Sequence, residues 1–137
     1  MSDLPDAKAP RVLLVEDEEL NRILVRAVLA RAGDSRVRSI ELLEAPTLAT
    51  ARQQLGEGPV DVVLLDMNLP DGHGLALASE LAEVTDRPAV IALTASVLPR
   101  DRSAALAAGC DGFLDKPYAA ADLVSVLAEN LSRRTVE

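Results

Sequence analysis

Five short apolar runs, rich in Val, Leu and Ile, alternate along this chain with five stretches of helical periodicity. The runs are residues 11–15, 40–44, 60–65, 89–93 and 112–114. Runs this short and this nearly continuous suit strands of a parallel sheet covered on both faces. The stretches between them, residues 18–32, 47–55, 74–84, 100–108 and 120–131, place apolar residues three and four apart. In the first of these, Leu20, Ile23, Leu24, Ala27, Val28 and Ala30 fall at helical spacing. Alternating β and α units with right-handed crossovers predict one doubly wound (βα)5 domain of the α/β class, with a five-stranded parallel sheet. The polar stretch 33–39 reads as a longer connection. Residues 1–10 and 132–137 read as tails, which leaves 11–131 as the domain.

Composition narrows the function. The 137 residues fit one domain, and 49% apolar residues supply its core. The 22 acids outnumber the 14 bases, for a net charge of −8. That balance argues against direct nucleic-acid binding and against charge-driven docking on anionic membranes. Phe113 and Tyr118 are the whole aromatic complement, so no base-stacking platform exists. Cys110 stands alone, which rules out an intrachain disulfide and a multi-cysteine zinc site and fits a reducing compartment. The polar N-terminus lacks a signal-peptide pattern, and no apolar run is long enough for membrane insertion. A cytoplasmic location is expected.

In an open α/β sheet, ligands bind outside the carboxyl ends of the strands. The polar residues that follow the apolar runs are therefore informative. The first run ends in Glu16 and Asp17, the third in Asp66, the fourth in Thr94, and the fifth leads into Lys116 and Pro117. Three neighbouring carboxylates repel one another unless a cation joins them. Mg²⁺ suits such a set, because it takes carboxylate oxygens and is often completed by a phosphate. An amine and a hydroxyl beside it fit the remaining oxygens of a phosphoryl group. Attack by one carboxylate on phosphorus would give an acyl phosphate.

Four segments, VLLVEDEELNR, DVVLLDMNLPDGHG, VIALTA and GFLDKP, occur in that order. With their separations, they make the chain resemble a response-regulator receiver domain of bacterial two-component signalling, the CheY-like family, from about Val12 to Leu131. The resemblance implies a flavodoxin-like sheet of order 2-1-3-4-5. It makes Asp66 the phosphoacceptor, and Glu16, Asp17, Asp66 and the carbonyl of Asn68 the Mg²⁺ ligands. It makes Thr94 the switch hydroxyl, Lys116 the phosphate-contacting lysine and Phe113 the switch aromatic. Pro70 and Gly74 match the turn after the phosphorylated strand, and a cis Lys116–Pro117 bond is permissible. Glu16 departs from the more frequent aspartate and lengthens one arm of the acidic pair. Asn68 and the pair Ala95 and Ser96 flank the path of an attacking water.

Other residues read as structural. His73, Asp61, Asp71, Asp111 and Asp115 suit loops, turns and strand starts, and Cys110 suits a small buried position. Asn21 carries no assigned role. Arg22, Arg26 and Arg31 read as a solvated helix face.

The expected function is phosphoryl transfer to Asp66 from a histidine kinase or histidine phosphotransfer protein, with slow self-dephosphorylation and no other enzyme activity. Phosphorylation would then alter the face made by the fourth helix, fifth strand and fifth helix, where a downstream protein partner would dock. No output domain fits in the residues after 131. The chain is therefore expected to act through partners, as a stand-alone regulator or as a piece of a hybrid kinase. Two alternatives are a pseudo-receiver that is never phosphorylated and a haloacid-dehalogenase-type phosphohydrolase. The latter wants a second acid two residues after its nucleophile, where this chain has Asn68.

Overall fold

In a computed structural model of the chain, residues 9–95 and 98–136 are described, with side chains as far as Ser132. The elements in order are β1 (Arg11–Val15), α1 (Glu19–Ala30), α2 (Ser35–Arg38), β2 (Glu41–Ala45), α3 (Leu48–Leu55), β3 (Val62–Asp66), β4 (Asn68–Leu69), β5 (Gly72–His73), α4 (Gly74–Ala82), β6 (Ala89–Thr94), α5 (Pro99–Ala107), β7 (Gly112–Asp115) and α6 (Ala120–Val136). The main sheet has the order β2-β1-β3-β6-β7, and all its pairings are parallel. Counting only its five strands, this is the expected 2-1-3-4-5.

The strand sequences explain the two-sided core. Successive side chains point to opposite faces. Leu13, Val15, Val63, Leu65, Val90 and Ala92 pack on one face with residues of α3, α4 and α5. Val12, Leu14, Val62, Leu64, Ile91 and Leu93 pack on the other with residues of α1, α2 and α6. Every residue of β3 is buried, so this central strand reads as an unbroken apolar run up to its terminal Asp66.

The structure corrects several expectations. The connection at 33–39 contains a single helical turn, α2, because the Asp34 carboxylate accepts the N–H groups of Arg36 and Val37. Residues 132–136, expected as a tail, continue α6 beyond Leu131. Of the N-terminal tail, residues 1–8 lie outside the described residues, as does Ser96. On α1 only Val25 and Leu29 are buried, while Leu20, Ile23 and Leu24 are exposed. The helical spacing is real, but one sheet face has room for only part of it. Arg22 and Arg26 are not merely solvated, since both pair with Glu44 of β2. A small antiparallel ribbon, β4 with β5, follows Asp66 directly. Among the described residues, no helix is long and apolar enough to cross a membrane.

Candidate functional site

Glu16, Asp17, Asp66, Thr94 and Lys116 sit at the carboxyl edge of the main sheet, at the ends of β3 and β6 or in the turns just beyond β1 and β7, while Asn68 lies on β4 and Phe113 within β7. β1, β3 and β6 are adjacent strands whose register aligns Val15 with Leu65 and Asp66 with Leu93. Each acid or hydroxyl follows its apolar run, so the parallel pairing brings the strand ends together. Carboxylate oxygens of Glu16, Asp17 and Asp66 lie within 4.8 Å of one another. Glu16 and Asp66 are buried, whereas Asp17 faces solvent.

Lys116 supplies the facing charge. Its Nζ donates to Glu16 Oε1 at 3.2 Å and stands 3.2 Å from Asp66 Oδ1. The backbone N–H of Lys116 donates to the Thr94 carbonyl at 2.8 Å, which anchors the turn after β7 to the end of β6. The Lys116–Pro117 bond is cis. Burial on its own would lower the Lys116 pKa, but the charges of Asp66 and Glu16 outweigh it and the ammonium is held above its usual range. Burial pushes the Glu16 carboxyl up, against the Glu18 N–H that lowers it; the Asp66 charge adds to the rise.

Glu16 is also tied at its second oxygen. Oε2 accepts the Glu18 N–H at 3.1 Å while Oε1 takes Lys116. Asp66 Oδ1 accepts the Asn68 N–H at 3.4 Å. Behind Asp66 the chain turns back tightly, with the Gly74 N–H donating to the Met67 carbonyl at 2.8 Å. A Cβ on Gly74 would stand 2.5 Å from the Asp66 carbonyl oxygen, so only glycine allows this approach. His73 caps α4, its Nδ1 accepting the Leu75 N–H at 3.1 Å. Asp71 caps α3 from outside, its carboxylate accepting the N–H groups of Leu48 and Ala49. Both acid and imidazole thus keep the structural roles expected of them.

Thr94 is half-buried at the end of β6. With Ala92, Ala105 and Phe113 it lines a cavity of about 420 Å³ beside α5. The half-buried ring of Phe113 lies under the Arg102 guanidinium, 5.0 Å from the centroid. Arg102 also pairs with Asp115. On the other side of Lys116, a groove of about 580 Å³ runs between α1 and α6 past Leu24, Val28, Tyr118 and Leu123.

The sequence reading passed over Arg22, Arg102 and Tyr118 as parts of this site. Tyr118 could have been found from its place two residues after Lys116. Arg22 and Arg102 carry no signal until the helices are docked.

A family profile described as the response regulator receiver domain matches residues 12–128. The chain belongs to this family. As a receiver domain it is a module of two-component signalling, in a family that uses Mg²⁺ at an acidic pocket. It is 40% identical over 128 residues to the aerobic respiration control sensor protein ArcB of Escherichia coli (strain K12), covering 91% of this chain but 15% of that protein. It is 37% identical over 124 residues to the two-component response regulator ORR41 of Oryza sativa subsp. japonica, covering 89% of this chain and 94% of that one. The receiver domain of the TMAO respiratory system response regulator TorR superposes with a TM-score of 0.78 at 27% identity, over 90% of this chain and 98% of that one. A CheY-like receiver domain protein from Methanospirillum hungatei JF-1 shares the fold, with a TM-score of 0.82 at 22% identity over 93% and 98% of the two chains.

Proposed function

We propose that this receiver domain accepts a phosphoryl group on Asp66 from a histidine kinase or a histidine phosphotransfer protein in the cytoplasm. The observation that carries this reading is the convergence of Glu16, Asp17 and Asp66 within 4.8 Å, faced by Lys116. Three acids against one ammonium leave an excess of negative charge, which a divalent cation fits. Asp17 and Asp66, with the Asn68 carbonyl, would hold Mg²⁺ directly. Glu16, one carbon longer and tied to Lys116 and Glu18, would act from behind. Bound Mg²⁺ would neutralise phosphoryl oxygens during transfer.

The chain's own groups do the rest. An Asp66 oxygen forms the O–P bond as the P–N bond of the phosphohistidine breaks, and the imidazole nitrogen keeps the electron pair. Lys116 pairs with a phosphoryl oxygen in place of Asp66. The Thr94 hydroxyl donates to another. Movement of Thr94 leaves room in the adjoining cavity for Phe113 to turn inward, which alters the face made by α5, β7 and α6. A downstream protein would read that face.

The exposed Leu20 and Leu24 on α1, with the groove toward Tyr118, form an apolar surface that reaches Lys116. A protein donor can bury such a surface while presenting its histidine to Asp66.

The test is intact mass after incubation with acetyl phosphate, with and without Mg²⁺, on the wild type and Asp66→Asn. A Mg²⁺-dependent gain of one phosphoryl group, lost in the variant, supports the reading. No gain under any condition overturns it.

A further inference from the structure

The turn from β1 to α1 carries Glu16 and Asp17, yet α1 starts without a side-chain cap. A helix start with free N–H groups frays unless something else holds it. Here the hold falls on Glu16. Its N–H donates to the Ala45 carbonyl at 3.0 Å, and its carboxylate accepts the Glu18 N–H. Its carbonyl oxygen accepts the Arg22 guanidinium at 2.8 Å. That carbonyl belongs to the peptide joining Glu16 to Asp17, so its tilt sets the direction in which Asp17 leaves the strand.

Arg22 is itself anchored. Its Nε stands 3.3 Å from Glu44 Oε1 on β2, and its side chain is only 18% exposed. Arg26, one turn further along, takes the other oxygen of Glu44 at 3.1 Å. Among the described residues, Arg26 makes no hydrogen bond to Glu16. The two arginines therefore share a partner and a charge, but only Arg22 touches the acidic turn. A positive charge near three carboxylates opposes cation binding, and Glu44 offsets it. What remains is geometry: a planar fork that reaches a carboxylate through Nε and a carbonyl through Nη1, two separated donors where a lysine has a single nitrogen.

We infer that Arg22 is a positioning residue, whose fork, braced on Glu44, holds the Glu16–Asp17 peptide so that Asp17 meets Asp66 at a divalent cation with the Glu16 carboxylate behind them. This rests on the receiver reading above and adds to it a determinant of metal affinity outside the acids themselves.

The test titrates Mg²⁺ into the full chain, read by the amide NMR shifts of Asp17 and Asp66. Arg22→Ala should weaken Mg²⁺ binding about fivefold, the size of one net hydrogen bond. Arg26→Ala removes an equal charge from Glu44 and should stay within about twofold, as expected of a half-exposed ion pair. Arg22→Lys should fall between them. In the metal-free protein, hydrogen exchange at the Glu18 amide should quicken in Arg22→Ala and not in Arg26→Ala. Equal Mg²⁺ affinity in Arg22→Ala and Arg26→Ala, with equal Glu18 exchange, overturns the inference and leaves the receiver reading intact. Absence of Mg²⁺ binding by the wild type overturns both. Should Arg22→Ala fail to fold, Arg22→Lys against Arg26→Lys decides by the same criteria.

Discussion

The Lys116 ammonium stands 3.2 Å from the Glu16 carboxylate, although the two residues lie 100 positions apart in the chain. Glu16 is only 1% exposed. An ionised group so deeply placed needs a partner, and Lys116 is the cation the structure gives it. Lys116→Ala should therefore destabilise the metal-free protein by roughly 1–3 kcal/mol at neutral pH, the cost of leaving a buried acceptor unpaired. Mg²⁺ should raise the unfolding midpoint of this variant more than that of the wild type. Thermal unfolding with and without Mg²⁺ measures both effects.

Gly74 lies against the Asp66 carbonyl with no room for a side chain. Gly74→Ala should cost about 1–3 kcal/mol through overpacking. Because the strain falls on the backbone of Asp66 and Met67, phosphoryl gain from acetyl phosphate should fall as well. Urea unfolding and intact mass read the two.

Arg102 holds the outer face of the Phe113 ring. Its removal should cost less than about 1 kcal/mol of stability, since the pair is partly exposed. Arg102→Ala should nevertheless shift the Phe113 ring resonances toward those seen with a beryllofluoride phosphate mimic. Unchanged ring shifts would separate Phe113 from Arg102.

Leu24 is 61% exposed on α1. Leu24→Asp should change stability by less than about 0.5 kcal/mol, as surface substitutions do. It should slow transfer from a phosphohistidine protein and leave the acetyl phosphate reaction unchanged. Comparing the two donors on one variant makes the distinction.

Cys110 is buried, and burial pushes its thiol up to about 11. Folding thus keeps a proton that the unfolded chain releases near 9.0, the ordinary value for a thiol. Stability from this group is complete below about pH 9 and is lost as pH rises toward about 11. The raised Lys116 acts in the same sense at the alkaline end. Denaturant midpoints should fall across this window, less steeply in Cys110→Ala, and iodoacetamide should leave the folded thiol unmodified at pH 8.

The parallel five-stranded sheet and the meeting of Glu16, Asp17, Asp66, Thr94 and Lys116 at one edge were legible in the chain, because short continuous apolar runs and the polar residue after each run are local features, whereas the strand order came from the resemblance to receiver domains. The element boundaries differ by a residue or two except at the end of α6, which runs five residues further, and the helical turn at 35–38 and the β4–β5 ribbon leave no periodic signal. Both depend on side-chain caps and tight turns too short for any periodicity. The exposed face of α1 was also hidden, since helical spacing does not say how wide a stripe the sheet can cover. Sequence alone therefore determined the fold class and which polar residues stand at the strand ends. Only the tertiary structure decided that Arg22 reaches the Glu16 carbonyl, that Arg102 covers Phe113 and that Lys116 bridges two acids. The physical reason is reach: long flexible side chains on separate elements find their partners only after packing has fixed the distance between those elements.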